Sequence, residues 1–257
     1  MKTKLIMLAA LAGSLTAAAT PAAAVEEVFA NITYGGSARN FRWVRTAGGG
    51  GTFYTTSTGT ATAAGATIVT FSLVGSPVPL SVSANFLLSG TTAADPLGVT
   101  TGAFNQRIDT FTFSLTARNA FCWTPSICFN AGDTLLRSTT GQPILNSRIQ
   151  GTIGGTTGSF VGSSLGGSTI SYDSPLLTFA PSTNYGFTFG LSAVNGAFAN
   201  TNVATSLASF RARIQGDLQS DPPPSFNVPE PGTWAMMIAG MGMVGFARRR
   251  RRTVAAA

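Results

Sequence analysis

The absence of histidine from all 257 residues limits the chemistry that this chain could perform. Without histidine, serine–histidine–aspartate and cysteine–histidine catalysis are excluded, and so are the usual zinc sites. No stretch of the chain has the pattern of a serine nucleophile elbow or of a phosphate-binding loop. Carboxylates are therefore the remaining candidates for general acid–base catalysis.

Seven acids lie in the central part of the chain: Glu26, Glu27, Asp95, Asp109, Asp133, Asp173 and Asp217. A glycosidase needs only two carboxylates about 5 to 10 Å apart, so a secreted carbohydrate-active enzyme with a carboxylate pair stays open as an alternative. None of the seven lies in a catalytic or calcium-binding signature, and Asp133 and Asp173 stand beside turn residues, where acids commonly cap turns. We therefore predict no catalytic residue, no metal site and no cofactor.

The two cysteines of the chain, Cys122 and Cys128, occur together in "FCWTPSIC". In an exported chain such a pair is expected to form a disulfide. The spacing differs from the C-x2-C of redox enzymes, and no further metal ligands lie nearby in the sequence. We predict a structural disulfide between them.

The stretch "RNFRWVRT" is the most unusual predicted strand, because alternation places Arg39, Phe41, Trp43 and Arg45 on one face. Aromatic rings beside polar donors can stack on sugars, so Trp43 is a candidate carbohydrate contact. We favour the alternative in which Phe41 and Trp43 fill the core and the arginine stems cover its rim. Trp123, next to a cysteine, is likewise predicted to be a packing residue.

Short runs with period-two alternation, separated by Gly, Pro, Asn and Ser, fill residues 25–216. In "IDTFTFSLTA", for example, Phe111, Phe113 and Leu115 fall on one face. About ten strands with one apolar face each must stack as two sheets or close on themselves. We therefore predict an all-β domain over residues 25–216, a β-sandwich, with a jelly roll as one form of it. No fixed repeat supports a solenoid.

The net charge of +7 lies mainly outside this domain, in Lys2, Lys4 and five consecutive arginines near residue 250. The segment from residue 25 to residue 220 is close to neutral, and we predict no nucleic-acid partner. Residues 1–24 have two lysines, an apolar run and a small-residue ending at Ala24. This pattern predicts a secretory signal peptide with cleavage after Ala24.

Residues 217–228, "DLQSDPPPSFNV", are rich in proline and predict an extended linker. The uncharged stretch over residues 234–247 predicts a single transmembrane helix about 21 Å long, which is short for roughly 30 Å of hydrocarbon. Flanking Trp234 and the arginines can supply the missing length, with the arginines on the cytoplasmic side. The helix is predicted to be a temporary anchor.

The residues around this helix carry a family resemblance: Pro229, Glu230, Pro231, Trp234, Arg248, Arg249, Arg250, Arg251 and Arg252. In order and density they resemble the PEP-CTERM sorting signal, in its PEPxxWA variety, over residues 229–252. The resemblance implies processing near the Pro-Glu-Pro triplet by an exosortase, a membrane-embedded transpeptidase-like enzyme. It also implies a Gram-negative envelope and an association with exopolysaccharide or biofilm matrix.

Together these features predict a non-catalytic protein that crosses the inner membrane, is anchored there transiently, and then resides at the cell surface or outside the cell. Its predicted partners are the exosortase, the inner membrane and, as a further candidate, polysaccharide. Besides the carboxylate-pair enzyme, an adhesin or ice-binding module with a flat threonine-rich face stays open.

Overall fold

The computed structural model describes residues 27–47, 49–93, 103–139, 147–152, 157–164, 170–181, 183–198, 207–227 and 241. The described residues form sixteen β-strands, all paired antiparallel. The strands are β1 Glu27–Thr33, β2 Phe41–Arg45, β3 Gly51–Thr55, β4 Thr67–Leu73, β5 Ser81–Thr92, β6 Ala103–Ala117, β7 Phe121–Thr124, β8 Ile127–Phe129, β9 Thr134–Thr139, β10 Arg148–Thr152, β11 Thr157–Ser163, β12 Ser171–Asp173, β13 Leu177–Thr178, β14 Asn184–Phe198, β15 Leu207–Asp221 and β16 Ser225–Phe226.

Twelve of these strands belong to one hydrogen-bonded sheet, and β7–β8 and β13–β16 form two small ribbons. Pairing runs through β2, β3, β5, β6, β10, β11, β14 and β15 and returns to β2, so this sheet closes on itself. The all-β prediction is confirmed. The opposite walls pack face to face as the two layers of a sandwich do, but hydrogen bonding continues from one wall to the other.

The long strand β15 holds the closed sheet together because each of its edges is used. One edge pairs with β14 along its length, and the other pairs with β2 over residues 209–212 and with β1 over residues 216–220. Strand β5 does the same with β6 on one edge and with β4 and β3 on the other. These two strands therefore link the short strands into one wall.

The core is built from aromatic side chains that point inward from opposite walls. Phe111 on β6 stacks on Phe187 of β14, with ring centroids 4.4 Å apart, and Phe53 on β3 meets Phe160 of β11 edge to face at 5.2 Å. The inward face predicted for β6 is confirmed, since Phe111, Phe113 and Leu115 are all buried. Alternation thus fills the interior with rings and leaves polar residues on the outer face.

The structure differs from the predicted domain end at residue 216 and from the predicted linker over 217–228. Strand β15 continues to Asp221, and β16 pairs with β13 through Leu177 and Phe226. Pro224 is buried, and the Asn227 N–H donates to Leu176 O at 3.0 Å. Proline lacks a ladder donor and so hides a strand pattern in the sequence, yet it packs readily beside a strand end.

Two predicted segments lie outside the described residues: the signal peptide over residues 1–24 and, apart from Met241, the sorting signal over 229–252 with its apolar helix over 234–247. Among the residues that the structure describes, no helix has both the length and the hydropathy to cross a membrane.

Candidate functional site

A row of polar side chains crosses four neighbouring strands on the outer face of the sheet. Asn195 of β14 lies opposite Arg211 of β15, Arg211 lies opposite Arg42 of β2, and Arg42 lies opposite Tyr54 of β3. Directly opposite residues of an antiparallel pair point to the same face. Since strands lie about 4.8 Å apart, this arginine row (Asn195, Arg211, Arg42 and Tyr54) spans roughly 14 Å.

A second row runs beside the first and consists mainly of hydroxyl groups. Register places Thr52 of β3, Thr91 of β5 and Thr110 of β6 side by side, and Ser209 of β15 lies farther along, beyond Val44. The hydroxyls of Thr91 and Thr110 are 2.7 Å apart and bond to each other. This hydroxyl row (Ser209, Thr52, Thr91 and Thr110) lies on a closed sheet, whereas the ice-binding alternative predicted an even ladder on a solenoid.

The loop after β3 covers one side of the arginine row. The Arg211 guanidinium donates to the carbonyl oxygens of Gly59 and, at 3.1 Å, of Thr60. The Tyr54 hydroxyl donates to Thr62 O at 2.7 Å. These bonds hold the loop over residues 56–66 against the sheet and fix the Arg211 and Tyr54 side chains in place.

Two further arginines, Arg39 and Arg213, lie next to this row. Arg39, just before β2, donates from Nε to Ala193 O at 2.7 Å. Ala193 lies in an irregular stretch of β14 and has a positive φ of 54°. Arg213 lies opposite the preceding residue, Ser192, and shares the outer face with Arg211. Arg39, Arg42, Arg211 and Arg213, the arginine cluster, therefore gather at one place.

The electrostatics of the cluster are those of uncompensated positive charge. Burial lowers the pKa of Arg211, and the neighbouring charges of Arg42 and Arg39 lower it further, while Tyr54 opposes the shift. None of the carboxylates in the described part of the chain is among the charges that act on Arg211. The Nε atoms of Arg42 and Arg213 are buried without a hydrogen-bond partner. Such a cluster is suited to binding an anion.

The described carboxylates do not gather at this surface. Asp133 Oδ2 accepts the Asn130 N–H at 2.6 Å and so caps the turn before β9, as predicted. Asp173 differs from the prediction, because it forms an exposed ion pair with Arg137 at 2.6 Å across β9 and β12. Among the described strand pairs, no two acids lie directly opposite each other, and the described residues contain no cluster of His, Cys, Asp or Glu that could hold a metal ion.

The structure confirms the favoured prediction that Trp43 fills the core, and it corrects the alternative in which Trp43 contacts carbohydrate. Trp43 is 0% exposed and stacks on Phe210 with ring centroids 5.7 Å apart. Strand β2 lies in the middle of a closed sheet, so its inward face is covered by the opposite wall and no sugar can reach the indole. Trp123 is buried too, and its Nε1–H donates to Val78 O at 3.0 Å.

The predicted disulfide is confirmed between Cys122 and Cys128. The two cysteines lie opposite each other in the β7–β8 ribbon, beside stacked Phe121 and Phe129. The bond is therefore structural and closes the ribbon over the buried Trp123.

Sequence reasoning missed the arginine cluster, and it placed one member, Arg39, on the face that carries the buried Phe41 and Trp43. Arg42 stands in the predicted strand around Trp43, and Arg211 and Arg213 alternate along β15 with the buried Phe210, Ala212 and Ile214. What brings these arginines together is the pairing of β2 with β15, between segments far apart in the chain. No local pattern reports that pairing.

Comparison with known proteins concerns the segment after the β domain. A search of curated proteins and a search of solved structures gave no match to the chain. Residues 227–252 match the family model described as the PEP-CTERM protein-sorting motif. The chain therefore carries a PEP-CTERM sorting motif, which marks an exported protein that an exosortase sorts to the cell surface.

Proposed function

We propose that this chain is a non-catalytic protein of the surface or extracellular matrix of a Gram-negative cell, held there in exopolysaccharide after exosortase cleavage. The observation that carries the proposal is the PEP-CTERM motif at residues 227–252, directly after a folded all-β domain. A domain followed by a removable signal is the arrangement of a passenger that is delivered to its place of action. The work of the protein is then done by the β domain.

The chemistry of the segment explains how the anchor is temporary. Its apolar stretch over residues 234–247 is short for a bilayer, and arginines 248–252 stay on the cytoplasmic side. The chain is held in the inner membrane with its domain outside. Cleavage near Pro229–Pro231 then separates the domain from both the apolar stretch and the arginines.

Two observations support a non-catalytic domain. Asp133 and Asp173 are engaged in a turn cap and an ion pair. Among the other described acids, Asp109 and Asp217 lie on different strands, β6 and β15, which are not paired with each other in the described sheet. A retaining or inverting glycosidase needs two carboxyl groups that face the same bond.

The processing part of the proposal is tested by expressing the full chain in a Gram-negative host with and without an exosortase. Mass spectrometry then identifies both ends of the protein recovered from the surface and the medium. We expect a C-terminus near Pro231 only in the host with the enzyme, and a Glu230→Ala variant that stays in the membrane. Pro223→Ala, in the exposed stretch before the motif, is the control and is processed normally. A surface form that still carries Arg248–Arg252 contradicts the proposal.

The non-catalytic part is tested on matrix polysaccharide isolated from the same host. The purified full-length protein is incubated with it, and new reducing ends are measured over time. We expect no release above the rate of a heat-unfolded sample. Release that is abolished by Asp109→Asn or Asp217→Asn establishes the carboxylate-pair enzyme instead.

A further inference from the structure

We propose that the arginine cluster is a binding site for an acidic polysaccharide, in which the guanidinium groups bind the repeated anionic groups of the polymer. The inference rests on the proposed function, because it names the chemistry by which the β domain would be held in the matrix. It concerns a surface of the β15–β2–β3 wall and does not involve the sorting motif.

Without a ligand, the arrangement of the arginines is unfavourable for the protein. Arg42 and Arg211 lie directly opposite each other, and like charges in that position destabilise a sheet. Their other register partners are Tyr54 and Asn195, and Arg213 faces Ser192, so no carboxylate lies opposite any of them. A bound anion would neutralise this repulsion, and nothing in the described protein does so.

The arginine side chains of the cluster supply many hydrogen-bond donors. An arginine side chain carries five N–H donors in a planar fork that fits a carboxylate or sulfate group side-on. Arg211 and Arg39 use some of theirs on carbonyl oxygens of Gly59, Thr60 and Ala193, which fixes their positions. Arg42 and Arg213 have buried Nε atoms without a partner, so a polymer would bind them at the terminal nitrogens of the fork. The cluster thus combines two anchored guanidinium groups with two that are not engaged at Nε.

The hydroxyl groups beside the cluster favour a sugar polymer over a small anion as the ligand. The arginine row continues across the sheet into Ser89 and Thr112, whose hydroxyls are 3.2 Å apart, and the hydroxyl row runs beside it. A surface with hydroxyl groups next to guanidinium groups matches a polymer with both hydroxyl and anionic groups. A small free anion could bond to only a few of these groups and would leave most of the face unused.

A nucleic acid also carries repeated negative charge, but this surface does not suit it. Proteins that bind single strands stack the bases on exposed aromatic rings. Tyr54 is the aromatic residue of the arginine row, and its hydroxyl is held by Thr62 O beneath the loop after β3. The exposed neighbours on β5 and β6 are serine and threonine. The observations therefore favour polysaccharide.

The test compares one pair of arginines in the cluster with one pair on another part of the sheet. Arg42→Gln with Arg213→Gln alters the cluster without touching the anchored Arg39 and Arg211. Arg107→Gln with Arg148→Gln is the control, because Arg107 and Arg148 form another pair of neighbouring strand arginines, on β6 and β10, outside the cluster. Both double variants lower the net charge equally. Thermal unfolding of each verifies that the fold is retained.

Binding of the full-length chain in detergent is measured by calorimetry against polygalacturonate, dextran and a single-stranded DNA oligonucleotide. We expect wild type to bind polygalacturonate and not dextran, with affinity falling as salt rises. The cluster variant should bind about tenfold or more weakly, and the control within about twofold of wild type. Equal loss in both variants, no binding by wild type, or tighter cluster-dependent binding of DNA overturns the inference.

The outcome is separable from that of the proposed function. A chain that is cleaved and reaches the cell surface but fails to bind polygalacturonate refutes the site alone. A chain that binds polygalacturonate through Arg42 and Arg213 but is never cleaved or exported refutes the proposed function and leaves the site standing.

Discussion

Trp43 donates its indole N–H to Thr92 Oγ1 at 3.0 Å, and Thr92 donates in turn to Gln106 Oε1 at 3.1 Å. All three residues are buried, so this chain of hydrogen bonds joins β2, β5 and β6 inside an otherwise apolar core. A buried polar group that loses its partner costs free energy. The bonds therefore hold the indole in one orientation among the phenylalanine rings.

The fixed indole makes Gly51 a sensitive position. A Cβ atom at Gly51 would overlap the Trp43 ring. We expect Gly51→Ala to lower the free energy of unfolding by about 1–3 kcal/mol, because overpacking forces a buried side chain to move. Urea unfolding measures the loss. Gly35→Ala is the control, since its Cβ would have no atom within 4 Å, and equal losses at the two glycines would contradict the explanation.

Asn40 is a second buried polar residue whose removal should be costly. Its Oδ1 accepts the Ile214 N–H at 2.9 Å, which ties the chain before β2 to β15. Asn40→Ala leaves that donor unpaired, and we expect unfolding to become easier by about 1–3 kcal/mol. The exposed Asn119→Ala should change stability by no more than about 0.5 kcal/mol. Thermal denaturation of both variants measures the two changes in stability, and indistinguishable midpoints would contradict the prediction.

The disulfide in the β7–β8 ribbon should contribute modestly. It closes a loop with a sequence separation of only 6, so the entropic effect is about 2 kcal/mol. We expect the double variant Cys122→Ser, Cys128→Ser to fold and to unfold at a lower temperature than wild type. Adding a thiol reductant should lower the wild-type midpoint to that of the variant. A wild-type unfolding midpoint that stays the same after reduction of the disulfide would show that the bond contributes nothing to stability.

Tyr185 should make stability depend on pH in the alkaline range. Burial raises its pKa above the ordinary 10.0, and the hydrogen bond with the Thr183 side chain opposes this. The folded state therefore holds the phenolic proton more tightly than the unfolded chain, so the free energy of unfolding falls as pH rises from about 10 through the folded-state pKa. We expect Tyr185→Phe to lose less stability than wild type between about pH 9 and about pH 11. Urea unfolding curves at each pH measure the free energy of unfolding of both proteins. The same dependence of that free energy on pH in both proteins would contradict the prediction.

About ten strands were predicted and the described residues form sixteen, because a strand is predictable only where it carries its own alternation. Alternation in "IDTFTFSLTA" is a local property, and the burial of Phe111, Phe113 and Leu115 follows from it directly. The disulfide was equally local, with both cysteines on one short ribbon. The predicted end of the domain at residue 216 was too early because three consecutive prolines obscured the alternation of Leu218 and Ser220.

The closure of the sheet and the arginine cluster could not be predicted in the same way. Both depend on which strands are neighbours, and the pairing of β2 with β15 joins residues near opposite ends of the domain. Trp43 shows the same limit: the sequence gives it a face, but only the opposite wall of the sheet determines that this face is sealed. Long-range register leaves no pattern within a single strand.

The pairing of Glu27 with Ser220 joins the first and the last strand of the closed sheet. Strand β1 emerges first from any channel that delivers the chain from its N-terminus, and its partner β15 is the last strand of the closed sheet to emerge. Until then β1 has one edge without its hydrogen-bond partners, and an unpaired edge invites pairing with other chains. Contacts between distant segments also form slowly. The closed sheet therefore cannot be completed until β15 has been delivered. We expect rapid delivery, or a chaperone that covers the unpaired edge of β1, to limit aggregation during export.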